Sequence, residues 1–301
     1  MKLTVLGSGG FLPQPDRPLP GFAIEHEGKV YLFDAGEGTQ VRMVEYGISS
    51  ADLEGVLVSH LHGDHLFGLP GVMVRRSQEG QRRDGLDLYA PGSIRSYLDG
   101  LHEAGALELL YEWNLHELTA GFSLKTGPLR IAAAPLDHRI ETYGFTLEHV
   151  PTRRKFYPDQ ARAIGVPEGP LWSKLQDGES VRLESGRTVD PEEVSDPPPE
   201  GSSFVYLTDT RPCFDLPSAF QSPDLLVHEG MFTSEHKDHA REKKHSTATE
   251  AARVARHLEA DRLLLTHFSH RYDGPEPLLA EARSTFPEVE AARPGRTLEI
   301  G

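Results

Sequence analysis

Three histidines and one aspartate lie within six consecutive residues: His60, His62, Asp64 and His65. The short apolar run that ends at Val58 predicts a buried strand directly before them. His60 and His62 are alternate residues that can point the same way, and Gly63 permits a turn that brings the other two round. Imidazole nitrogens and carboxylate oxygens are the ligands that zinc takes in open catalytic sites. A histidine-rich surface loop is the alternative, but four such side chains directly after a strand favour a pair of metal ions.

Three distant residues share one context, because each lies at or just after the end of a predicted apolar strand: His138, Asp209 and His267. Taken alone, each could be a core or capping residue. Functional side chains of layered α/β proteins gather at strand ends, so we expect these three to meet the histidine motif. Together they give seven ligands for two metals, with Asp209 as the bridge. Two metals about 3.5–4 Å apart suit in-line displacement at phosphorus.

The elements that must position these residues alternate along the chain. Strands are predicted at residues 3–6, 30–33, 56–58, 86–89, 129–134, 143–149, 204–208, 225–228 and 262–266. Helices are predicted from Thr39 to about residue 46 and after Ser93, a plausible N-cap. Thr247 and Glu250 have the spacing of a capping box that opens a helix to about residue 258. This alternation predicts a layered α/β architecture.

The bulk properties indicate a protein of the cytoplasm. The chain has 301 residues, enough for one large domain or two, and a net charge of −15. Such acidity argues against a generic nucleic-acid or membrane patch without excluding a local basic site. The single cysteine, Cys213, cannot form an intrachain disulfide, and no secretory signal or membrane-spanning run is apparent.

Residues 151–201 depart from the α/β pattern. They are rich in proline, glycine and charge, and they show little apolar periodicity. We therefore expect an inserted arm rather than part of the core, because loops of this length in a compact protein are usually functional or disordered.

At this point the chain resembles the metallo-β-lactamase fold superfamily and, within it, the ribonuclease Z family of tRNA 3′-end processing endonucleases. The histidine motif alone marks only the superfamily. The narrower resemblance lies in the tail Phe67-Gly-Leu-Pro-Gly71, in Thr208-Asp-Thr-Arg-Pro212 and in His245-Ser-Thr247. Matching segments extend over nearly the whole chain, from the Gly7-Ser-Gly-Gly turn and Phe33-Asp-Ala-Gly-Glu-Gly to Thr266-His-Phe-Ser-His-Arg-Tyr272.

The resemblance implies a four-layer αββα sandwich formed by residues 1–301, with an inserted substrate-binding arm at about 151–201. It also implies two Zn²⁺ ions per subunit, although Mn²⁺ or another divalent metal could replace them. His60, His62 and His138 would hold one ion. Asp64, His65 and His267 would hold the other, with Asp209 bridging.

The resemblance further assigns a catalytic pair to Glu229 and His245. A histidine that titrates near neutral pH is suited to protonate the departing 3′-oxygen of a phosphodiester, and a carboxylate on its other nitrogen favours the charged form. His245 could instead be a histidine at a helix cap. Asp64 would serve both as a ligand and as a general base toward water. The family's usual His-Glu-Ala-Thr segment reads His228-Glu-Gly-Met231 here, a change that removes no charged participant.

An acidic protein that binds precursor tRNA needs local basic groups. The first part of the arm, residues 151–174, carries a local charge of +3, and we expect Arg153, Arg154 and Lys155 to contact the tRNA elbow. Arg211 is a further expected RNA contact. Other basic pairs occur at Arg75-Arg76 and Arg82-Arg83. Relatives of this family are commonly homodimers, so the resemblance also implies a homodimer.

Four functions compete. The first is a zinc-dependent endoribonuclease that removes the 3′ trailer of precursor tRNA and leaves a 3′-hydroxyl. The second is a hydrolase of small or cyclic nucleotide phosphodiesters, which would have no need of a charged arm of fifty residues. A thioester or lactam hydrolase would not require Glu229 and His245. A non-catalytic RNA-binding homologue would typically have lost ligands, whereas all seven are present.

Overall fold

Two seven-stranded β-sheets form the centre of the protein, described here by a computed structural model that covers residues 1–79 and 85–301. The predicted basic pair Arg82-Arg83 lies outside these described residues. Within them, no helix is long and apolar enough to cross a membrane.

The first sheet contains six strands from the N-terminal half and one from the C-terminus. Its strands are β1 (Lys2–Gly7), β2 (Gly21–His26), β3 (Lys29–Phe33), β4 (Leu53–Leu57), β5 (Leu86–Ala90), β6 (Trp113–Glu117) and β18 (Thr297–Glu299). Their order is β18-β1-β2-β3-β4-β5-β6. Strands β3 to β6 pair in parallel, while β18, β1, β2 and β3 pair antiparallel.

The second sheet repeats this mixed arrangement with C-terminal strands. Its strands are β7 (Ser123–Thr126), β8 (Leu129–Pro135), β9 (Tyr143–His149), β14 (Ser202–Leu207), β15 (Leu225–Glu229), β16 (Leu263–Thr266) and β17 (Val289–Ala291). Their order is β17-β16-β15-β14-β9-β8-β7, with β14 to β17 in parallel. The carboxyl ends of β14, β15 and β16 therefore lie side by side at one edge.

Five of the helices in the described residues cover the outer faces of the two sheets. The helices are α1 (Thr39–Glu45), α2 (Gly63–Leu66), α3 (Leu69–Glu79), α4 (Ile94–Glu103), α5 (Pro158–Ala163), α6 (Pro170–Gln176), α7 (Lys237–Lys243), α8 (Ala248–His257) and α9 (Glu276–Arg283). Apolar residues of α1, α3 and α4 share one core with the first sheet, and those of α8 and α9 share another with the second. A third core lies between the sheets. The predicted four-layer αββα sandwich is confirmed.

Strand β15 illustrates why the sequence folds into these layers. Side chains alternate across a strand, so Leu225 and Val227 enter the core between the sheets while Leu226 enters the core under the helices. All five residues of β15 are buried, which matches a parallel strand covered on both faces. A truncation of Leu226 to alanine should cost about 2–5 kcal/mol.

Two predicted helix starts have different outcomes. The capping box is confirmed, since the Glu250 amide donates to Thr247 Oγ1 (3.2 Å) and the Thr247 amide donates to Glu250 Oε2 (2.9 Å). Helix α4 begins directly after Ser93, as predicted, but Ser93 has helical dihedral angles and its side chain makes no cap hydrogen bond.

The arm is a small folded unit rather than an irregular excursion. It contains α5, α6 and two short ladders, β10 (Lys155–Phe156) with β13 (Ser195–Asp196) and β11 (Val181–Arg182) with β12 (Thr188–Val189). Its buried residues form a core of their own: Ala161, Val166, Leu175, Val181, Val189 and Val194. These residues are too irregularly spaced to show a period in the sequence, which explains why this core was not predicted.

Candidate metal centre

Strand ends from both sheets bring all seven predicted ligands together. The histidine motif follows β4, and His138, Asp209 and His267 follow β8, β14 and β16. Their donor atoms form two neighbouring groups, of four and three residues, and the atoms of each group lie within 4.8 Å of one another. The expected convergence at one edge of the sandwich is therefore what the structure shows.

The first group contains His60, His62, His138 and Asp209. His62 Nδ1 lies 3.0 Å from His60 Nε2 and 3.3 Å from His138 Nε2. Asp209 Oδ2 lies 3.7 Å from His60 Nε2 and 3.8 Å from His138 Nε2. Three imidazole nitrogens and one carboxylate oxygen thus surround one point.

The second group contains Asp64, His65 and His267, and the other oxygen of Asp209 lies beside it. His65 Nε2 and His267 Nε2 are 3.3 Å apart, and Asp64 Oδ2 lies 3.6 and 3.4 Å from them. Asp209 Oδ1 lies 3.3 Å from His65 Nε2 and 3.1 Å from His267 Nε2. Asp209 therefore presents one oxygen to each group, as a bridging ligand would.

The ring nitrogens that point away from the two groups make hydrogen bonds, and these bonds show whether the inward nitrogens suit metal ions. The Nδ1 atoms of His138 and His65 donate to Lys244 O (3.0 Å) and Asp34 Oδ2 (2.7 Å). A neutral ring that donates from Nδ1 carries a lone pair on Nε2. Nε2 is the nitrogen that His138 turns toward His62 and that His65 turns toward His267. Ligands at about 2.0–2.1 Å from one zinc ion lie about 3.3 Å apart, which is the spacing found here. The donor set therefore fits divalent metals.

Asp34 is a functional residue that the sequence interpretation missed. Its Oδ1 accepts the Ser59 amide (2.7 Å), and its Oδ2 accepts the Ser59 hydroxyl (2.8 Å), the Tyr206 hydroxyl (2.7 Å) and His65 Nδ1. The Ser59 hydroxyl in turn lies 2.9 Å from His60 Nδ1. Asp34 thus orients ligands in both groups, because a carboxylate behind a ligating histidine fixes its tautomer and ring orientation. The sequence did offer one indication, because Asp34 directly follows β3, the strand that pairs with the strand before the histidine motif.

Glu229 and His245 form a buried pair beside the two groups. His245 Nδ1 lies 2.9 Å from Glu229 Oε1, which also accepts the Thr210 amide at 2.8 Å. Burial by itself lowers the pKa of His245, but the charges of Glu229 and Asp209 outweigh it and raise the pKa to about 9. The Glu229 carboxylate therefore favours the charged form of His245, whose ring lines the cavity beside the two groups.

The charges of the ligands also suit cations. Burial opposes ionisation of Asp209, yet the neighbouring His267 and His65 keep the pKa of its carboxyl well below the usual range. Burial, together with the positive charge of His65, lowers the pKa of His60 well below its usual range, so its imidazole is neutral. A charged carboxylate and a neutral imidazole are the forms that bind a metal.

Two glycines make room for side chains at this centre. A Cβ on Gly63 would lie 2.3 Å from the Phe67 ring, and one on Gly10 would lie 2.8 Å from the His267 ring. Gly63 begins α2 and is not among the residues with positive φ. The chain turns into α2 at Gly63 without the left-handed conformation that glycine favours.

The predicted RNA contacts lie elsewhere. Arg153 pairs with Asp177 (3.6 Å), and Lys155 lies over the Tyr157 ring at 5.7 Å. Arg154 donates to Ser195 Oγ (2.8 Å) and so braces the arm itself.

Arg211 is also engaged within the protein. Its guanidinium pairs with Glu250 (2.6 Å) and donates to the carbonyl of His245. It therefore supports the loop that carries the proposed acid, and its contact with RNA stays a prediction.

A cavity of about 640 Å³ opens beside the two groups. Its lining includes Asp64, Asp209, His245 and His267. Aromatic and basic side chains that are exposed or half-buried also line it: Phe11, Phe67, Arg139, Lys243 and Arg271. The sequence interpretation did not assign the two phenylalanines or the two arginines to the site. The available signal was that Phe67 and Arg139 lie within two residues of predicted ligands.

Family models match both halves of the chain. Residues 1–158 match the model described as anti-Pycsar protein Apyc1, and residues 197–268 match the beta-lactamase superfamily domain. Among curated proteins, the ribonuclease Z of Salinibacter ruber is 40% identical over 100% of this chain and 95% of its own length. The ribonuclease Z of Methanosarcina acetivorans is 38% identical over 100% of this chain and 98% of its own length.

Solved structures agree with the observed fold. The crystal structure of the short form of human tRNase Z has a TM-score of 0.71 and 25% sequence identity, and all of both chains is covered. A metallo-β-lactamase fold protein of Bacillus subtilis has a TM-score of 0.69 and 20% identity, covering 99% of each chain, which bears on the fold alone.

Proposed function

The chain belongs to the ribonuclease Z family and is a metal-dependent endoribonuclease, and from this premise we propose that it removes the 3′ trailer of precursor tRNA and leaves a 3′-hydroxyl. The observation that carries the proposal is the buried Glu229–His245 pair beside seven convergent metal-binding side chains. A scissile phosphate at that position would meet both a cation site and a proton donor.

We assign two Zn²⁺ ions to the two groups, with His60, His62 and His138 around one, Asp64, His65 and His267 around the other, and Asp209 shared. When bound, the metal pair supplies Lewis acidity toward the phosphate and toward the attacking water. The ligand types also suit Mn²⁺ or another divalent ion, so the loaded metal is part of the experiment below.

The chain's own residues complete the hydrolysis. Asp64, at the edge of the cavity, accepts a proton from the attacking water. A bond from the water oxygen to phosphorus forms as the bond to the 3′-oxygen breaks, and His245 protonates that oxygen. Glu229 holds His245 in its charged form until the transfer. General acid catalysis of this kind contributes about 10²–10⁴-fold to a rate.

The wider assignments extend this proposal. The protein acts in the cytoplasm, where a single free cysteine suits the reducing conditions. It works as a homodimer, and the basic end of the arm, with Arg153 and Lys155, contacts the body of the tRNA. Arg154 contributes by holding that end of the arm in shape.

A second candidate is a hydrolase of small or cyclic phosphodiesters. The metal centre would serve either substrate, whereas the folded arm with its own core has a use only for a large one.

One experiment separates the two candidates. Purified protein is incubated with precursor tRNA and with bis-p-nitrophenyl phosphate, with and without a chelator. We expect chelator-sensitive cleavage of the precursor at the 3′ end of the mature tRNA, with a 3′-hydroxyl on that product. Turnover of the chromogenic ester without any cleavage of the precursor would replace the proposal with the second candidate.

A further inference from the structure

Two exposed phenylalanine rings lie against the metal-binding loop, residues 60–65. Phe11 is 64% exposed and Phe67 is 62% exposed, and both line the cavity beside the metal centre. The Phe11 amide donates to Asp64 Oδ2 (3.0 Å), while the Phe67 ring rests on Gly63. Neither ring is part of a hydrophobic core.

The backbone of Phe11 is strained. Its φ of 66° lies in the left-handed region, which a bulky side chain rarely adopts. The hydrogen bond to Asp64 and the bond from the Gly10 amide to Phe268 O (3.0 Å) hold it there. Strain of this kind, in a residue that leaves its ring in solvent, indicates a functional position rather than a packing one.

Basic side chains share the same cavity. Arg139 follows the ligand His138, and Arg271 lies shortly after the ligand His267. Among the described residues, neither guanidinium has a hydrogen-bond or ion-pair partner. In a chain with a net charge of −15, two such groups beside a cation site indicate that the cavity binds an anionic ligand.

Aromatic faces together with unpaired guanidinium groups are how proteins bind single-stranded nucleic acid, because every base has a face to stack and every linkage carries a phosphate. A cavity of about 640 Å³ accepts nucleotides on both sides of a cleavage point. We propose that Phe11 and Phe67 form a base-stacking platform for the unpaired nucleotides flanking the scissile phosphate. Arg139 and Arg271 bind the neighbouring phosphates. This inference rests on the proposed function, since it takes the substrate to be an RNA strand.

The test compares RNA with a small ester. Phe11→Gly removes the ring and relieves the backbone strain, Phe67→Ala removes the other ring, and Phe214→Ala is a control on an exposed phenylalanine that does not line the cavity. We expect the ratio of kcat/KM for precursor tRNA to kcat/KM for bis-p-nitrophenyl phosphate to fall about 10-fold or more for each of the first two. Phe214→Ala should leave the ratio unchanged. Phe67→Trp keeps an aromatic ring at this position and should have a ratio close to that of the wild type.

Abasic substrates separate stacking from a structural effect. Two precursors are used, each with an abasic nucleotide on one side of the cleavage point. For the wild type, kcat/KM should be about 10-fold lower on at least one abasic precursor than on the intact precursor. For the variant that lacks the matching ring, Phe11→Gly or Phe67→Ala, kcat/KM should be nearly the same on that abasic precursor as on the intact one. If the fold-loss from the abasic nucleotide and the fold-loss from the missing ring multiply for both variants, the two effects are independent and the proposed stacking is wrong.

Salt dependence tests the two arginines. In a plot of log Kd for precursor tRNA against log salt concentration, Arg139→Ala and Arg271→Ala should each reduce the slope by about 0.7. Arg253→Ala, on the exposed face of α8, serves as the control. Unchanged slopes would remove the arginines from the proposal.

If the wild type cleaves the ester but no RNA, the proposed function and this inference both fail. Normal RNA cleavage by both ring variants overturns the inference alone.

Discussion

His245 Nδ1 lies 2.9 Å from Glu229 Oε1, and the Glu229 carboxylate is fully buried. The second oxygen of Glu229 accepts the Met231 amide (3.3 Å), so backbone amides on both sides hold the carboxylate in place. His245 thereby keeps one nitrogen on the carboxylate and the ring at the wall of the cavity. This pair makes the pH dependence of the enzyme a direct test of the mechanism.

The first prediction concerns Glu229→Gln. The charges of Glu229 and Asp209 raise the pKa of His245 above its ordinary 6.5 to about 9, so the protonated form is lost as the pH rises through that range. Without the charge of Glu229, the basic limb of the kcat profile should move to lower pH and kcat at pH 8 should fall by about 10²-fold. Bound metal ions lower the pKa of His245 in the wild type and in the variant alike. The measurement is therefore the difference between the kcat–pH profiles of the two proteins. Identical basic limbs would exclude His245 as the acid.

The second prediction concerns metal content. Elemental analysis of the purified protein should give two divalent ions per chain, and dialysis against a chelator should abolish activity and lower Tm. Metal at 100 times its Kd stabilises a fold by about 2.7 kcal/mol per site. Asp209→Ala should bind markedly less metal at both sites, because each oxygen serves one group. Two tightly held ions in this variant would rule out the bridge.

The third prediction concerns Asp34→Asn. The amide keeps the size of the carboxylate but removes the charge behind His65. Loss of such an orienting group typically costs about 10–100-fold in metal affinity. A competition titration with a chromogenic chelator measures this change. Asp224→Asn is a suitable control, since Asp224 accepts from Ser203 at the opposite end of β14. Equal affinities of the Asp34 variant and the wild type would contradict the assigned role.

The fourth prediction concerns the arm. Arg153→Glu combined with Lys155→Glu should raise Kd for precursor tRNA while turnover of bis-p-nitrophenyl phosphate stays the same. Arg154 is left in place because its contact with Ser195 holds the arm together. Lys125→Glu, on strand β7 outside the arm, is the matched charge control. An equal fall in turnover of the small ester would show that the arm supports the fold of the site instead.

Local patterns explain how much of this protein could be predicted from its sequence. The capping box at Thr247, strand β9 and the histidine motif are all set by residues close together in the chain, and their periods and spacings are visible. Strands β8, β14 and β16 run in the same direction, so their carboxyl ends bring together His138, Asp209 and His267. The layered fold and the convergence of the seven ligands therefore followed from the sequence.

The features that were missed depend on distant partners. Asp34 meets Tyr206 across 172 positions, and no local pattern joins them. Phe11 reaches Asp64 across 53 positions. The small core of the arm draws on two helices and two short ladders that lie apart in the chain. Such contacts depend on how the sheets and loops pack, which spacing along the chain does not encode.

The position of Asp34 makes the geometry of the metal-binding side chains depend on how the two sheets pack together. Tyr206 belongs to the second sheet, whereas Ser59 and His65 follow a strand of the first, and one carboxylate joins all three. A shift of either sheet relative to the other would pull on this junction and turn the His65 ring. Mutations deep between the sheets can therefore weaken metal retention without touching a ligand, and metal content becomes a gauge of how well the two halves of the protein have docked.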